Sequence, residues 1–128
     1  MTWRFEPDRP IYIQLQEQLK LAIVSGQYPP GGKLPAVRDL AEDASVNPNT
    51  VQRALAELER EMLVYAQRTS GRFVTEESEM IEKIKTEMAL KLVDEFVSKM
   101  AAIGYSKDET NAMLTKIEEV EERGDTQL

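Results

Sequence analysis

Asn47-Pro48 is the dipeptide that most constrains this chain. An Asn side chain can cap an exposed backbone N–H, and Pro fits the first helical position because its φ is preset and it has no N–H to lose. A helix therefore starts at Pro48. Just upstream, Val37, Leu40, Ala41 and Ala44 recur with helical spacing, so a short helix ends only at Ser45-Val46. Two helices are thus joined by a tight turn. The second runs to about Met62, with Val51, Leu55, Leu58 and Met62 inward. Its other face presents Asn49, Gln52, Arg53, Ala56, Glu57 and Arg60.

The flanks complete a small domain. Trp3 and Phe5 alternate with polar residues in a short extended arm. Pro10 opens a helix over about 11–25, whose apolar face is Tyr12, Leu15, Leu19, Ala22 and Ile23. Gly26 is a natural stop, and Pro29-Pro30-Gly31-Gly32 a strong loop signal. After Met62, residues 64–68 and 72–75 read as short strands around a Thr69-Ser70-Gly71 turn, and they need to pack on the helices through Val64 or Tyr65 and Phe73. Gly71 is a turn glycine of positive φ. Beyond Thr75–Ser78 the pattern changes to acidic helix. Ile81, Ile84, Met88, Leu92, Phe96, Met100 and Ile103 form one stripe over 78–103, and Gly104 ends it. Ser106 to Glu109 has capping-box spacing, and Met113, Ile117 and Val120 form the apolar face of a last helix ending at Gly124. The expected fold is mainly α with a small β-hairpin: a winged helix-turn-helix over 1–75, followed by a two-helix C-terminal dimerisation tail over 76–128.

Composition removes several function classes. The 128 residues include no Cys and no His. There is no disulfide, thiolate nucleophile, imidazole base or Cys/His metal site, and nothing assembles a nucleophile with its base. No metal, cofactor or enzymatic activity is expected. The acidic run Glu118, Glu119, Glu121, Glu122 reads as a solvated face, because it lacks the spacing of a calcium loop. No apolar stretch is long enough to span a membrane, and the N-terminus has no signal core, so a cytoplasmic protein is expected. The net charge of −7 argues at first against nucleic acid. Its distribution reverses the argument. Residues 1–75 carry nine basic and nine acidic groups, whereas residues 76–128 carry seven and fourteen.

In winged helix-turn-helix folds the first turn of the second motif helix enters the DNA major groove. The residues here suit that task. Asn and Gln can read adenine, Arg can read guanine, and a Thr methyl can touch thymine. Asn47, Asn49, Thr50, Gln52 and Arg53 fall on or beside the groove-facing side, and Glu57, Glu59 and Glu61 come later, where a helix entering end-on has left the groove. The same polar face could equally be ordinary solvated surface, and Arg38 an ordinary exposed arginine.

At this point the chain resembles a known family. The run from Leu34 to Val74, with the preceding PIYIQLQEQLKLAIVSGQYPPGGKLP, looks like the N-terminal domain of GntR-family bacterial transcription regulators. The resemblance covers about residues 10–75, and several motifs occur in order with matching gaps. The short helical tail is similar to the YtrA subfamily, whose members are homodimeric repressors, often of transporter operons. The resemblance implies a backbone contact from Arg38. It implies base and phosphate contacts from Asn47, Asn49, Thr50, Gln52 and Arg53, and a wing tip of Arg68, Thr69, Ser70, Gly71 and Arg72. Lys33, in the loop leading to the second helix, joins this DNA-binding set. Two positions depart from the pattern: Ala36 stands where many members have a capping Ser, and Thr69 where many have Gly. The second departure favours phosphate contact over minor-groove insertion by the wing.

The tail has more apolar surface than a domain of about 75 residues can cover, so pairing with a second copy is the economical solution. The expected homodimer interface is Ile81, Ile84, Met88, Leu92, Phe96, Met100, Met113 and Ile117. It would hold two reading helices about 34 Å apart, matched to a palindromic operator in double-stranded DNA. A small-molecule effector, where one exists, would have to bind the helical tail or the hinge near Thr75–Ser78; the sequence identifies none. The rival reading is a winged helix used as a protein-interaction module without specific DNA binding.

Overall fold

The computed structural model describes residues 1–122; the helix end expected at Gly124 lies outside them. Seven elements follow in order: α1 (Ile11–Val24), α2 (Val37–Ala44), α3 (Pro48–Arg60), β1 (Val64–Gln67), β2 (Gly71–Val74), α4 (Ser78–Ala102) and α5 (Lys107–Glu122). They divide into two compact units, Met1–Lys85 and the chain from Thr86 onward, so the first two turns of α4 belong to the first unit. The architecture is the winged helix-turn-helix with a two-helix C-terminal segment. No helix among the described residues is long and apolar enough to cross a membrane.

The core of the first unit is where the apolar spacings converge. Leu15, Leu19 and Ile23 of α1, Leu40 of α2 and Val51, Leu55 and Leu58 of α3 are all buried, where α1 and α2 pack on α3. Truncating one such leucine to Ala costs roughly 2–5 kcal/mol, because the lost transfer energy is joined by a cavity. Between α2 and α3 the chain turns at Ser45, whose φ of 56° is left-handed. That conformation lets the Ser45 and Val46 N–H groups donate back to Glu42 and Ala41, closing α2 three residues before α3 begins. Asn47 Oδ1 then accepts from the Asn49 N–H at 2.8 Å, as the sequence predicts.

Three elements depart from expectation. Met62 is exposed rather than inward, because α3 ends at Arg60 and the chain reverses through a φ of 65° at Met62. Leu63 takes the core position instead. In the hairpin, Val64 pairs with Val74 and both are buried. Tyr65 and Phe73 stack on each other on the other face, with centroids 5.8 Å apart. The Pro-Pro-Gly-Gly loop also does more than connect. The Gly31 N–H donates to Val74 O, the Val74 N–H to Gly32 O and the Leu34 N–H to Arg72 O, each at 2.9 Å. Residues 31–34 therefore line the free edge of β2 and fix the wing's base.

The N-terminal arm is tied down by a residue that apolar periodicity passes over. Gln14 is 2% exposed among the leucines of α1. Its Oε1 accepts from the Glu6 N–H at 2.6 Å, and its Nε2 donates to the carbonyls of Glu6 and Arg9 at 2.8 and 2.9 Å. Gln18 does the same for Arg4, exchanging bonds with its N–H and C=O. Trp3 stacks on Phe5, and its Nε1 donates to Asp43 of α2 at 2.7 Å.

In the second unit, Ser106 and Glu109 close the expected capping box. The Ser106 N–H donates to Glu109 Oε1 at 3.0 Å, and the Glu109 N–H to Ser106 Oγ at 3.1 Å. Thr110 is buried and donates to the Ser106 carbonyl. Most of the apolar residues of this unit are open to solvent: Leu90, Leu92, Val93, Phe96, Ile103, Met113 and Leu114 are all exposed.

Two expectations follow. Gln14→Leu keeps the volume but strands three backbone groups of the arm. It should lower stability by roughly 1–3 kcal/mol in urea unfolding followed by the single tryptophan, and an unchanged midpoint would contradict the clasp. The second concerns Glu109. Hydrogen bonds from the Ser106 backbone and then its side chain hold that carboxyl below the usual glutamate range. Its contribution to α5 is therefore fully present above the unfolded-state pKa and is lost as pH falls through the lower folded value. A carboxyl titration followed by NMR should place Glu109 below the other glutamates; a midpoint in the ordinary range would mean the box is open in solution.

Candidate nucleic-acid interface

The first two turns of α3 leave the molecule on one side. Val51, Ala54 and Leu55 are buried, whereas Asn47, Asn49, Gln52 and Arg53 are exposed and Thr50 is half-buried. The burial follows from the 3.6-residue period: with one face committed to the core, the intervening polar residues must point outward. No acidic residue stands in the first turn. Asn47 spends its oxygen on the cap, which leaves its amide group for any other contact. The Arg53 guanidinium lies over the ring of Tyr12, 3.6 Å from its centroid. Ile11 and Tyr12 of α1, with Asn49, Thr50 and Arg53, line one shallow cleft. Tyr12 was expected only as part of the apolar face of α1; its half-burial beside an arginine could not be read from periodicity.

The other sequence-predicted residues stand on α2, in the loop before it and on the wing. Arg38 is exposed in the first turn of α2, whose N-terminus at Ala36 has no side-chain cap. Lys33 is exposed beside the wing, where it forms an antiparallel bridge with Phe73. Gly71 has a φ of +107°, a left-handed backbone that favours glycine, and a Cβ there would approach only the flexible end of Lys33, at 3.2 Å from its Cε. Arg68, Thr69 and Ser70 are exposed at the wing tip. Arg72 is the exception. Its Nε donates to Glu59 Oε1 at 2.7 Å, with both side chains about one-third exposed. Arg72 is therefore a strut from β2 to α3 rather than a free cation of the tip. The pair joins residues thirteen apart, and only the folded hairpin brings them together.

That strut belongs to a wider pattern. The later part of α3 and its C-cap carry Glu57, Glu59 and Glu61, and each meets a cation: Glu57 meets Arg60 at 3.0 Å, Glu59 meets Arg72, and Glu61 meets Lys20 of α1 at 2.8 Å. Arg9 in turn sits in a two-pronged pair with Glu17, which raises its pKa. Among the described residues, the cations of the first unit up to Thr75 left without an ion pair are Arg4, Lys33, Arg38, Arg53 and Arg68. Four of these five stand at the loop, α2, α3 and wing positions named above. Arg4, in the arm, is the one that the sequence did not single out.

Comparison with known proteins agrees with this geometry. Residues 11–74 match the family described as bacterial regulatory proteins, gntR family. The chain is 38% identical to a GntR family transcriptional regulator from Listeria monocytogenes of known structure, with a TM-score of 0.82 over 88% of this chain and 98% of that one. It is 45% identical over 67 residues to the HTH-type transcriptional repressor YtrA of Bacillus subtilis, 52% of either protein. A third match, at 26% identity and a TM-score of 0.53, is a crystal structure of the DNA-binding domain of AraR in complex with an operator, covering 57% of this chain and 93% of that one. These relatives are transcriptional regulators, not enzymes. The chain belongs to the GntR family of bacterial regulatory proteins, and it is a DNA-binding transcriptional regulator.

Proposed function

We propose that the protein is a homodimeric repressor that binds an inverted-repeat operator and acts by excluding polymerase. The observation that carries the reading is the charge pairing: the acids of α3 are neutralised internally, and unpaired cations remain where a winged helix-turn-helix meets DNA. In this reading Asn49, Thr50, Gln52 and Arg53 face base edges in the major groove, with Asn47 at the entry of the helix. Arg38, Lys33 and Arg68 take phosphates. Thr69, Ser70 and Gly71 carry the wing tip along the backbone. A regulator of this kind works in the cytoplasm, and by its likeness to the YtrA group its target is a transporter operon. Any effector would act through the helical tail or the hinge near Thr75–Ser78.

The dimer would form through the second unit. Leu92, Phe96 and Met113 are exposed, while Met88, Met100 and Ile117 are partly so. A stripe of this kind left in water is costly, and a two-fold axis covers the same patch twice. Ile81 and Ile84 fit this role less well than the sequence suggested. They are 8% and 6% exposed inside the first unit, so their surface is already covered by their own chain.

Selection of bound fragments from a genomic pool gives operator and target together, and an asymmetric consensus would sink the two-fold reading. On the selected site, affinity should fall steeply with salt, with log K dropping by about 0.9 per phosphate contacted against log salt. Arg53→Ala should relax base preference, losing about 1–3 kcal/mol of discrimination at one position of each half-site. Arg38→Ala should instead weaken all duplexes alike and flatten the salt slope by about one. Identical behaviour of the two variants would show that reading and anchoring are not divided in this way. For the dimer, sedimentation velocity of the full chain carrying Leu92→Glu and Phe96→Glu should shift the protein to monomer. A dimer that persists would place the interface elsewhere.

A further inference from the structure

We propose that Tyr12 is a positioning residue for sequence readout: its ring holds the Arg53 guanidinium in place on α3 before DNA arrives. The role rests on the DNA-reading function proposed above and assigns to it a residue outside the reading helix.

The geometry is specific. The guanidinium carbon sits 3.6 Å from the ring centroid, well inside the range of a cation–π contact. Among the described residues Arg53 has no acidic partner, so the ring is what constrains its charged end. Tyr12 is itself held. It belongs to α1, its neighbours Gln14 and Leu15 are buried, and α1 packs on α3. The platform under Arg53 is thus a rigid helix rather than a mobile loop.

The chemistry favours the flat contact over an ion pair. A stacked guanidinium keeps its N–H donors in its own plane, free for a bidentate bond to guanine O6 and N7. A carboxylate at the same place would occupy those donors, as Glu59 occupies the Nε of Arg72. An unrestrained arginine must also surrender rotamer freedom on binding, and the stack removes part of that cost in advance. Asn49 and Thr50 share the cleft with Tyr12 and Arg53, so the ring sets the arginine beside the other reading residues.

The test uses the full chain and three variants: Tyr12→Leu, Tyr12→Phe and Arg53→Ala. Each is challenged with a pool of random-sequence duplexes and, separately, with bulk non-specific duplex. Tyr12→Leu should lose roughly two- to five-fold in base discrimination, at the same position that Arg53→Ala affects, with non-specific affinity unchanged. Tyr12→Phe keeps the ring and should match wild type. If Tyr12→Leu reads DNA as wild type does, or Tyr12→Phe loses as much as Tyr12→Leu, the ring is not the positioning element. The free wild-type chain gives a second readout that needs no variant to fold: the Arg53 δ-protons should lie upfield, shifted by the ring current, and ordinary shifts there would overturn the stack. A wild-type chain that enriches no duplex would sink the regulator reading itself and this role with it. Enrichment by wild type with an indifferent Tyr12→Leu sinks this role alone.

Discussion

The seating of α3 is the constraint on which the rest depends. Val51, Ala54, Leu55 and Leu58 are all fully buried, so one face of the helix is committed along its length. Nothing else about the reading surface is then free. The 100° step between residues sends Asn49, Gln52 and Arg53 outward, and the Ser45 turn sets where the helix begins. Ala54 is part of the reason that the fit is close: a larger side chain in that completely enclosed position would push α3 off its support, and overpacking of a core costs typically 1–3 kcal/mol.

Packing fixes where α3 lies, and ion pairs fix what it presents. Three glutamates on the later part of α3 and its C-cap would make that end strongly negative if left bare. Arg60, Arg72 and Lys20 each take one. These pairs are at most partly buried, so each adds little to stability. Their larger consequence is for the local field, because they cancel negative charge near the surface while leaving other cations unpaired. One pair also does mechanical work. Arg72 reaches Glu59 from β2, and the edge of β2 is in turn bonded to residues 31–34, so the wing is tied to α3 and to the loop that carries Lys33.

Much of this was legible in the residues. Both strands, every helix start and the ends of the first four helices stand within a residue or two of where periodicity, Asn47-Pro48, the glycines and the capping box put them. Those signals are local, and local chemistry decides them. What escaped was non-local or hidden by residue type. Gln14 looks like a polar interruption of an apolar stripe, yet its partners are backbone atoms of the arm, which carry no sequence signal. Arg72 looks like a wing-tip cation until the hairpin folds it toward Glu59. Met62 fits the spacing of α3, but the helix stops first. In the hairpin the residues leave Val64 and Tyr65 as alternatives; Val64 enters the core, and its buried partner is Val74 rather than the larger Phe73, because strand register alternates faces and the valines share the inner one.

Charge shows why totals mislead at two levels. The chain's −7 hides a neutral N-terminal part joined to an acidic tail. Neutrality in turn hides a segregation that only the fold creates. Four of the nine basic groups before residue 76 are bound to acids, three of them to the acids of α3 and its C-cap, and four of the remaining five stand in the loop before α2, on α2, on α3 and on the wing. A DNA reader needs this second property more than a high net charge. Phosphate contact responds to cations within about a Debye length, roughly 8–10 Å at ordinary salt, so their local arrangement counts for more than the total charge.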